Sequence, residues 1–353
     1  MNSPSRQSRI DWVDYAKGIC IILVVMMHST LGVEKAAGAT SWLNGFIEWA
    51  RPFRMPDFFL ISGLFLASRI NRPWRGYLDT KVLHFAYFYV LWMTIQFLTK
   101  GYGFYQESGA AGVFAAFLWA FVEPFGTLWF IYLLAVFFVT TKLASRLPPL
   151  AVFAAAAVLE MAPIATGYTV IDEFAARYVY FFAGFWLARY VLLYAEAVGR
   201  KSTLLILAGL APWAMVNAAF VNGGMAALPG VGLALGFAGA AAVVAMGVAL
   251  TRLPVASAIR YCGENSIVIY LAFFLFMAGM RVALLRLAPE LDHGVISLLV
   301  TGAGVIGPLF LFWVVRNTRF SFLFRRPRWA VLATPRGQWH SGAHADIPQP
   351  QTR

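Results

Sequence analysis

Charge is what this sequence has least of. Lys, Arg, Asp and Glu together make up 12% of its 353 residues, and acids number 16 against 28 bases. A soluble domain carries roughly 25% charged residues, so an ordinary water-soluble fold is excluded. Cysteine is nearly absent. Cys20 and Cys262 lie far apart, inside or beside apolar runs and outside any CxxC, which excludes a disulfide framework and a cysteine metal centre and leaves them as packing residues. The sequence also lacks GxGxxG after a strand, a P-loop, GxSxG and HExxH, so the usual signatures of nucleotide binding, serine hydrolysis and zinc proteolysis are missing. No internal repeat is visible.

What is abundant is apolar: 60% of the chain, with a mean hydropathy of +0.70. A span needs about 20 mostly apolar residues. That criterion predicts an all-α polytopic membrane protein of ten helices, at 14–34, 43–68, 79–99, 126–144, 148–166, 173–193, 202–221, 229–250, 262–284 and 294–316. The apolar segment 111–123 is short and followed by Pro124 and Gly126, and reads as an interfacial or re-entrant element. Residues 1–330 form one integral domain, and 331–353 a polar cytoplasmic tail expected to be disordered. Arg6 and Arg9 ahead of the first run imitate a signal peptide, but Lys17 at its mouth and His28 near its end mark it as the first transmembrane helix. With the N-terminus inside, 21 of the 28 Lys and Arg residues fall on the cytoplasmic side, as the positive-inside bias requires, so both termini are expected in the cytoplasm. The net charge of +12 follows from this topology, and no nucleic-acid partner is implied.

Ionisable side chains inside spans are costly and mark substrate paths, relays or buried partners. The first helix carries Asp14, Lys17 and His28. At 100° per residue these fall within about 60° of one another, and Lys17 and His28 lie about 16 Å apart along the axis. The pattern suggests a polar stripe facing a channel with a base deep inside. An interhelical hydrogen bond for His28 and an interfacial ion pair for Asp14 and Lys17 are the plainer alternatives. The second span, "EWARPFRMPDFFLISG", places Glu48, Arg51, Arg54 and Asp57 at three-residue steps with Pro52 and Pro56 between them. Arg51 and Arg54 read either as a pair that binds an anion or sugar, or as part of a self-neutralised ladder. Arg69, Arg72 and Arg75 follow in "SRINRPWRGY", where they can grip phosphates or anchor the loop to the cytoplasmic face. His84, Glu123 and Glu160 rank below these.

Five segments resemble the type-three membrane acyltransferases, in that family's order: "DYAKGICIILVVMMHS", "FRMPDFFLISGLFL", "GTLWFIYLL", "YFFAGFWLA" and "GENSIVIYL". The resemblance implies a ten-helix enzyme of the bacterial inner membrane that moves an acyl group, commonly acetyl and sometimes succinyl, from cytoplasmic acyl-coenzyme A to a carbohydrate or similar acceptor, with membrane lipid around it and a glycan or glycolipid as partner. By the same resemblance His28 matches the essential histidine, Asp14 the acidic position, and Lys17 a position usually held by arginine. Arg69 and Arg72 fall in the basic loop assigned to coenzyme A. The late motif often ends YLxH; here Phe273 stands at its end, which removes a polar group that many relatives have.

The mechanism these assignments imply has Arg69, Arg72, Arg75 and Lys17 on the phosphates of the acyl donor. His28 serves as general base or transient acyl carrier, Arg51 and Arg54 orient the acceptor or neutralise the oxyanion, and no metal takes part. Two rivals share the sequence features: an exporter of a small acidic metabolite, and a non-catalytic descendant of the enzyme.

Overall fold

The computed structural model describes residues 10–332, helical with intervening turns and no strand among them. From residue 333 onward the expected tail lies outside the described residues. The helices are α1 (Asp11–Ala37), α2 (Leu43–Leu64), α3 (Trp74–Leu78), α4 (His84–Trp119), α5 (Trp129–Ala144), α6 (Pro149–Met161), α7 (Thr169–Trp186), α8 (Ala188–Gly199), α9 (Thr203–Asn222), α10 (Val231–Leu250), α11 (Ser257–Glu264), α12 (Ser266–Leu287) and α13 (His293–Val315). A π turn, Asp79–Leu83, joins α3 to α4.

Seven helical segments are long and apolar enough to cross a membrane, and the pair α7 and α8, bent by 75° at Leu187, makes an eighth. The chain is a multi-pass membrane protein. Two of the ten expected spans do not meet that standard. Helix α2 carries four charged residues in 22, and α6, with 13 residues, is about 20 Å long at 1.5 Å per residue, short of a hydrocarbon core of roughly 30 Å. Two expected boundaries also move. Residues 111–119 continue α4 beyond a kink at Gly109, whose φ of 66° is left-handed. The expected 262–284 span breaks at Asn265, dividing α11 from α12.

Large apolar side chains point outward, as lipid permits and water does not: Leu204 is 78% exposed, Met215 73%, Ile306 67% and Phe310 62%. The interior is an aromatic mass in which Phe59, Phe137 and Phe181 are fully enclosed and Phe137 meets both others with ring centroids 5.1 and 5.3 Å apart. Helix α2 packs against α1, α7 and α10, and α1 packs in turn against α10, α11, α12 and α13. Glycine sets how closely these axes approach. A Cβ on Gly63 would strike the Phe181 carbonyl, and one on Gly184 the Leu60 carbonyl, so α2 and α7 touch backbone to backbone. Gly18 and Gly263 bring α1 and α11 together in the same way.

Polar clasps tie the loops at each end of the bundle. At one end Lys142 Nζ donates to the carbonyls of Ile70 and Arg72 at 2.5 and 2.8 Å. Arg252 donates to those of Gly199 and Lys201 at 2.6 and 2.7 Å. Arg326 pairs with Asp79 at 2.5 Å, both side chains less than one-tenth exposed. At the other end the backbone N–H of Thr169 donates to Glu123 at 2.9 Å. There Asp292 caps α13 through the N–H groups of Gly294 and Val295 and accepts from Trp42 Nε1 at 2.8 Å.

Two outcomes follow. Gly184→Val lowers the melting temperature of the purified protein sharply, whereas Gly209→Val on α9, with nothing within 4 Å of its Cβ position, leaves it unchanged. The Trp42 hydrogen bond, followed by the α13 N–H groups, holds the Asp292 carboxyl below its ordinary value. A depressed acid stabilises the fold above its unfolded-state pKa and loses that effect as pH falls through the folded value. Asp292→Ala therefore melts below wild type near neutral pH, and the gap closes on acidification below the usual carboxylate range.

Candidate active site

A cavity of about 270 Å³ opens among α1, α2, α7, α12 and the start of α5. Its polar lining is His28, Arg54, Thr127, Trp129, Glu173, Arg177 and Tyr270, with Val24, Met27, Met55, Phe58 and Phe130 as the apolar remainder.

His28 lies two-thirds along α1. Its ring packs on Phe273 of α12, centroids 5.4 Å apart and planes tilted by 36°, and Arg54 is the charged group whose field reaches it. Arg54 is itself only 7% exposed. One of its donors, Nη1, reaches back to the Ile47 carbonyl at 3.3 Å, while its buried Nε has no hydrogen-bond partner. Across the cavity Arg177 Nε pairs with Glu173 at 3.1 Å, four residues apart on α7. Tyr270 donates its hydroxyl to the Thr127 carbonyl at 2.5 Å, which ties α12 to the turn entering α5.

The expected pairing of Arg51 with Arg54 is not what forms. Arg51 sits one turn closer to the start of α2, its side chain 73% exposed, and pairs with Glu48 at 3.3 Å; it does not line the cavity. Asp57 is 1% exposed and neither carboxylate oxygen has a hydrogen-bond partner. Its electrostatic neighbours are Cys20 and Tyr180 rather than Arg54.

The expected open channel along α1 is closed. Between Lys17 and His28 the positions on the stripe's face are Ile21, Val24 and Val25. All three are buried, and the cavity's α1 lining begins only at Val24. Apolar side chains on that face pack against neighbouring helices, where polar ones would have held water. Asp14 is 4% exposed beside α11 at the distant end of α1, where its carbonyl meets Gly263, and it does not line the cavity.

Lys17 belongs to a second, basic assembly at that distant end. Its Nζ lies 5.1 Å from the Phe65 ring centroid, and Lys17, Arg69 and Arg72 are all close enough to act on Lys81. Lys81 rests over the Phe138 ring at 4.6 Å. Arg75 is exposed on α3. The Lys142 bonds to Ile70 and Arg72 fix this loop's backbone. Four cations gathered at one end, two of them over aromatic rings, suit a polyphosphate.

Reading the sequence missed Glu173, which at the first turn of a helix looks like any i, i+4 partner of an arginine. Trp129 and Tyr270 stand inside the two segments "GTLWFIYLL" and "GENSIVIYL", so a signal for them was present. Lys81 gave none, since a lysine near a span end is ordinary.

The chain is 26% identical over 221 residues to the inner membrane protein YcfT of Escherichia coli, covering 55% of this chain and 61% of that one. It is 27% identical over 215 residues to the nodulation protein NolL of Sinorhizobium fredii, covering 60% of this chain and 57% of that one. The matched stretch thus spans about three-fifths of each relative's length. No solved structure matches the chain significantly. The pattern described as "Acyltransferase domain", type 3, matches residues 10–317, most of the length, and the chain belongs to that acyltransferase family.

Proposed function

We propose that this protein moves an acyl group, acetyl or a short relative of it, from cytoplasmic acyl-coenzyme A to a hydroxyl of a cell-envelope carbohydrate. The chain then crosses the bacterial inner membrane ten times, with the enclosed, charged α2 and the short α6 added to the eight apolar spans, and both termini lie in the cytoplasm. One observation carries the reading: His28, the residue that the family resemblance marks, opens on a cavity that also holds Arg54, Arg177, Glu173 and Tyr270.

Lys17, Arg69, Arg72 and Lys81 hold the donor's phosphates at the basic end. The apolar plug at Ile21, Val24 and Val25 separates that end from His28, so reaching the imidazole requires repacking between α1 and its neighbours. At His28 the imidazole takes the proton of the acceptor hydroxyl. The oxygen so freed attacks the thioester carbonyl, the carbon–sulfur bond breaks, and the thiolate takes up a proton to leave as free thiol. Arg54 and the Glu173–Arg177 pair hold the acceptor across from the imidazole. At about 270 Å³, below the roughly 300–1,000 Å³ of most small-molecule sites, the cavity takes one sugar unit or a short acyl chain.

A non-catalytic descendant is the second reading, favoured by Phe273, whose ring covers one face of His28. Transfer of label from radiolabelled acetyl-coenzyme A to a glycan panel separates the two. The enzyme reading expects turnover in wild type and a loss of roughly 100-fold or more in His28→Ala with an unchanged melting temperature. Label transfer that persists in the variant removes His28 from the mechanism. Phe273→Ala leaves a void beneath the imidazole. Denaturant titration is expected to show a loss of about 3 kcal/mol, with kcat falling more than KM because the ring that orients His28 is gone.

A further inference from the structure

Among the described charged side chains that line the cavity, only Arg54 lacks an ion-pair partner. Arg51 is matched by Glu48 and Arg177 by Glu173, while Arg54, more than nine-tenths buried, has no acid within ion-pair distance among the described residues. Asp57, three residues on, is buried without a hydrogen-bond partner and forms no ion pair with Arg54. The field on Arg54 from Arg177 and Arg51 opposes its charge, and only Glu48 favours it. A guanidinium with an idle buried Nε and a single bond of 3.3 Å to a carbonyl is poorly satisfied for a group with five donors. Burying such a charge costs several kcal/mol unless a partner is present.

The wall behind Thr127 adds to this field. A Cβ at Gly126 would lie 3.9 Å from Lys100 Nζ and 3.3 Å from Gln96 Oε1. Lys100 has aromatic rings for partners, at 5.0 and 4.3 Å, and feels Arg281 as a second cation. The cavity is therefore positive on two sides, and its one carboxylate is already engaged.

We propose that Arg54 binds a carboxylate carried by the substrate, so that the protein handles an anionic reactant rather than a neutral one. Planar guanidinium and carboxylate pair through two parallel hydrogen bonds, and a cavity of this size leaves room for that group and one reacting centre. The carboxylate has two possible sources: the free end of a dicarboxylic acyl group or the acid of a uronate-containing acceptor. This rests on the acyltransferase reading above and sharpens it.

The test uses the full chain in lipid nanodiscs, with acetyl- or succinyl-coenzyme A crossed against a neutral oligoglucan or an oligoglucuronate. Wild type is expected to prefer one anionic reactant over its neutral counterpart by roughly 30-fold or more in kcat/KM, as for a buried charge pair. Arg54→Gln abolishes that preference mainly through KM, and Arg54→Lys retains part of it. A preference confined to the succinyl arm assigns the carboxylate to the acyl group, and one confined to the glucuronate arm assigns it to the acceptor. Equal activity of wild type on charged and neutral reactants overturns the inference. So does a uniform fall in kcat in Arg54→Gln with KM unchanged, which would make Arg54 an oxyanion partner instead. If no donor supports transfer, the acyltransferase reading fails separately. The carboxylate is then judged by melting of wild type and Arg54→Gln with succinate or glucuronate against their uncharged methyl esters: selective stabilisation of wild type by the acids supports it, and its absence overturns it.

Discussion

Helix α2 cannot face lipid, and the bundle is arranged around that constraint. Glu48, Arg51, Arg54 and Asp57 lie on a helix whose other positions are mostly apolar. In hydrocarbon each charge would cost several kcal/mol without a partner. The helix is accordingly enclosed by α1, α7 and α10. Its outer end, where Arg51 meets Glu48, emerges from the bundle, and its middle, with Arg54, meets the cavity. Gly63 and Gly184 make the enclosure tight enough to exclude lipid. Pro52 and Pro56 interrupt its hydrogen-bond ladder, and the same stretch takes donors from outside that ladder, the Arg54 side chain at the Ile47 carbonyl and Asn217 at that of Trp49.

The same constraint explains the division of the molecule into two polar regions joined by an apolar middle. Cations at one end collect against aromatic rings and loop carbonyls: Lys142 on Tyr77 and Trp74, Lys81 on Phe138. Those at the other end surround His28 or the wall behind it. Between them the face shared by Lys17 and His28 is filled by aliphatic side chains. A polar group on each side and a dry barrier between is the arrangement expected where two reactants approach from opposite sides and meet only when the packing yields.

Tyr270 and Phe273 connect chemistry to fold. One is tied to the turn before α5, and the other lies against the imidazole. Both lie in the first two turns of α12, which begins just after the break at Asn265. Phe273 offers His28 a ring contact and no hydrogen bond, so the cavity's polarity rests on Arg54, the α7 pair and Tyr270 beside the imidazole.

The class of the protein, the presence of most of its helices and the importance of α1 and α2 were readable from sequence, because a bilayer imposes a simple rule: long apolar stretches become helices, and ionisable residues within them are exceptions with a reason. His28 and Arg54 stood out by that rule. Which exceptions meet was not readable. Three-residue spacing places Arg51 and Arg54 alike, yet only contact with α7 and α12 turns one into the cavity and leaves the other at the surface. The stripe of Asp14, Lys17 and His28 is real as helical geometry, but whether a stripe lines a channel depends on the residues facing it, and these close the gap. Glu173, Arg177 and Tyr270 come from segments more than 100 residues beyond His28 in the chain, and no local pattern encodes how helices so far apart pack. Sequence determined which side chains cannot rest in lipid; tertiary structure decided which of them share one cavity, because that depends on close glycine crossings between helices distant in the chain rather than on any residue's own chemistry.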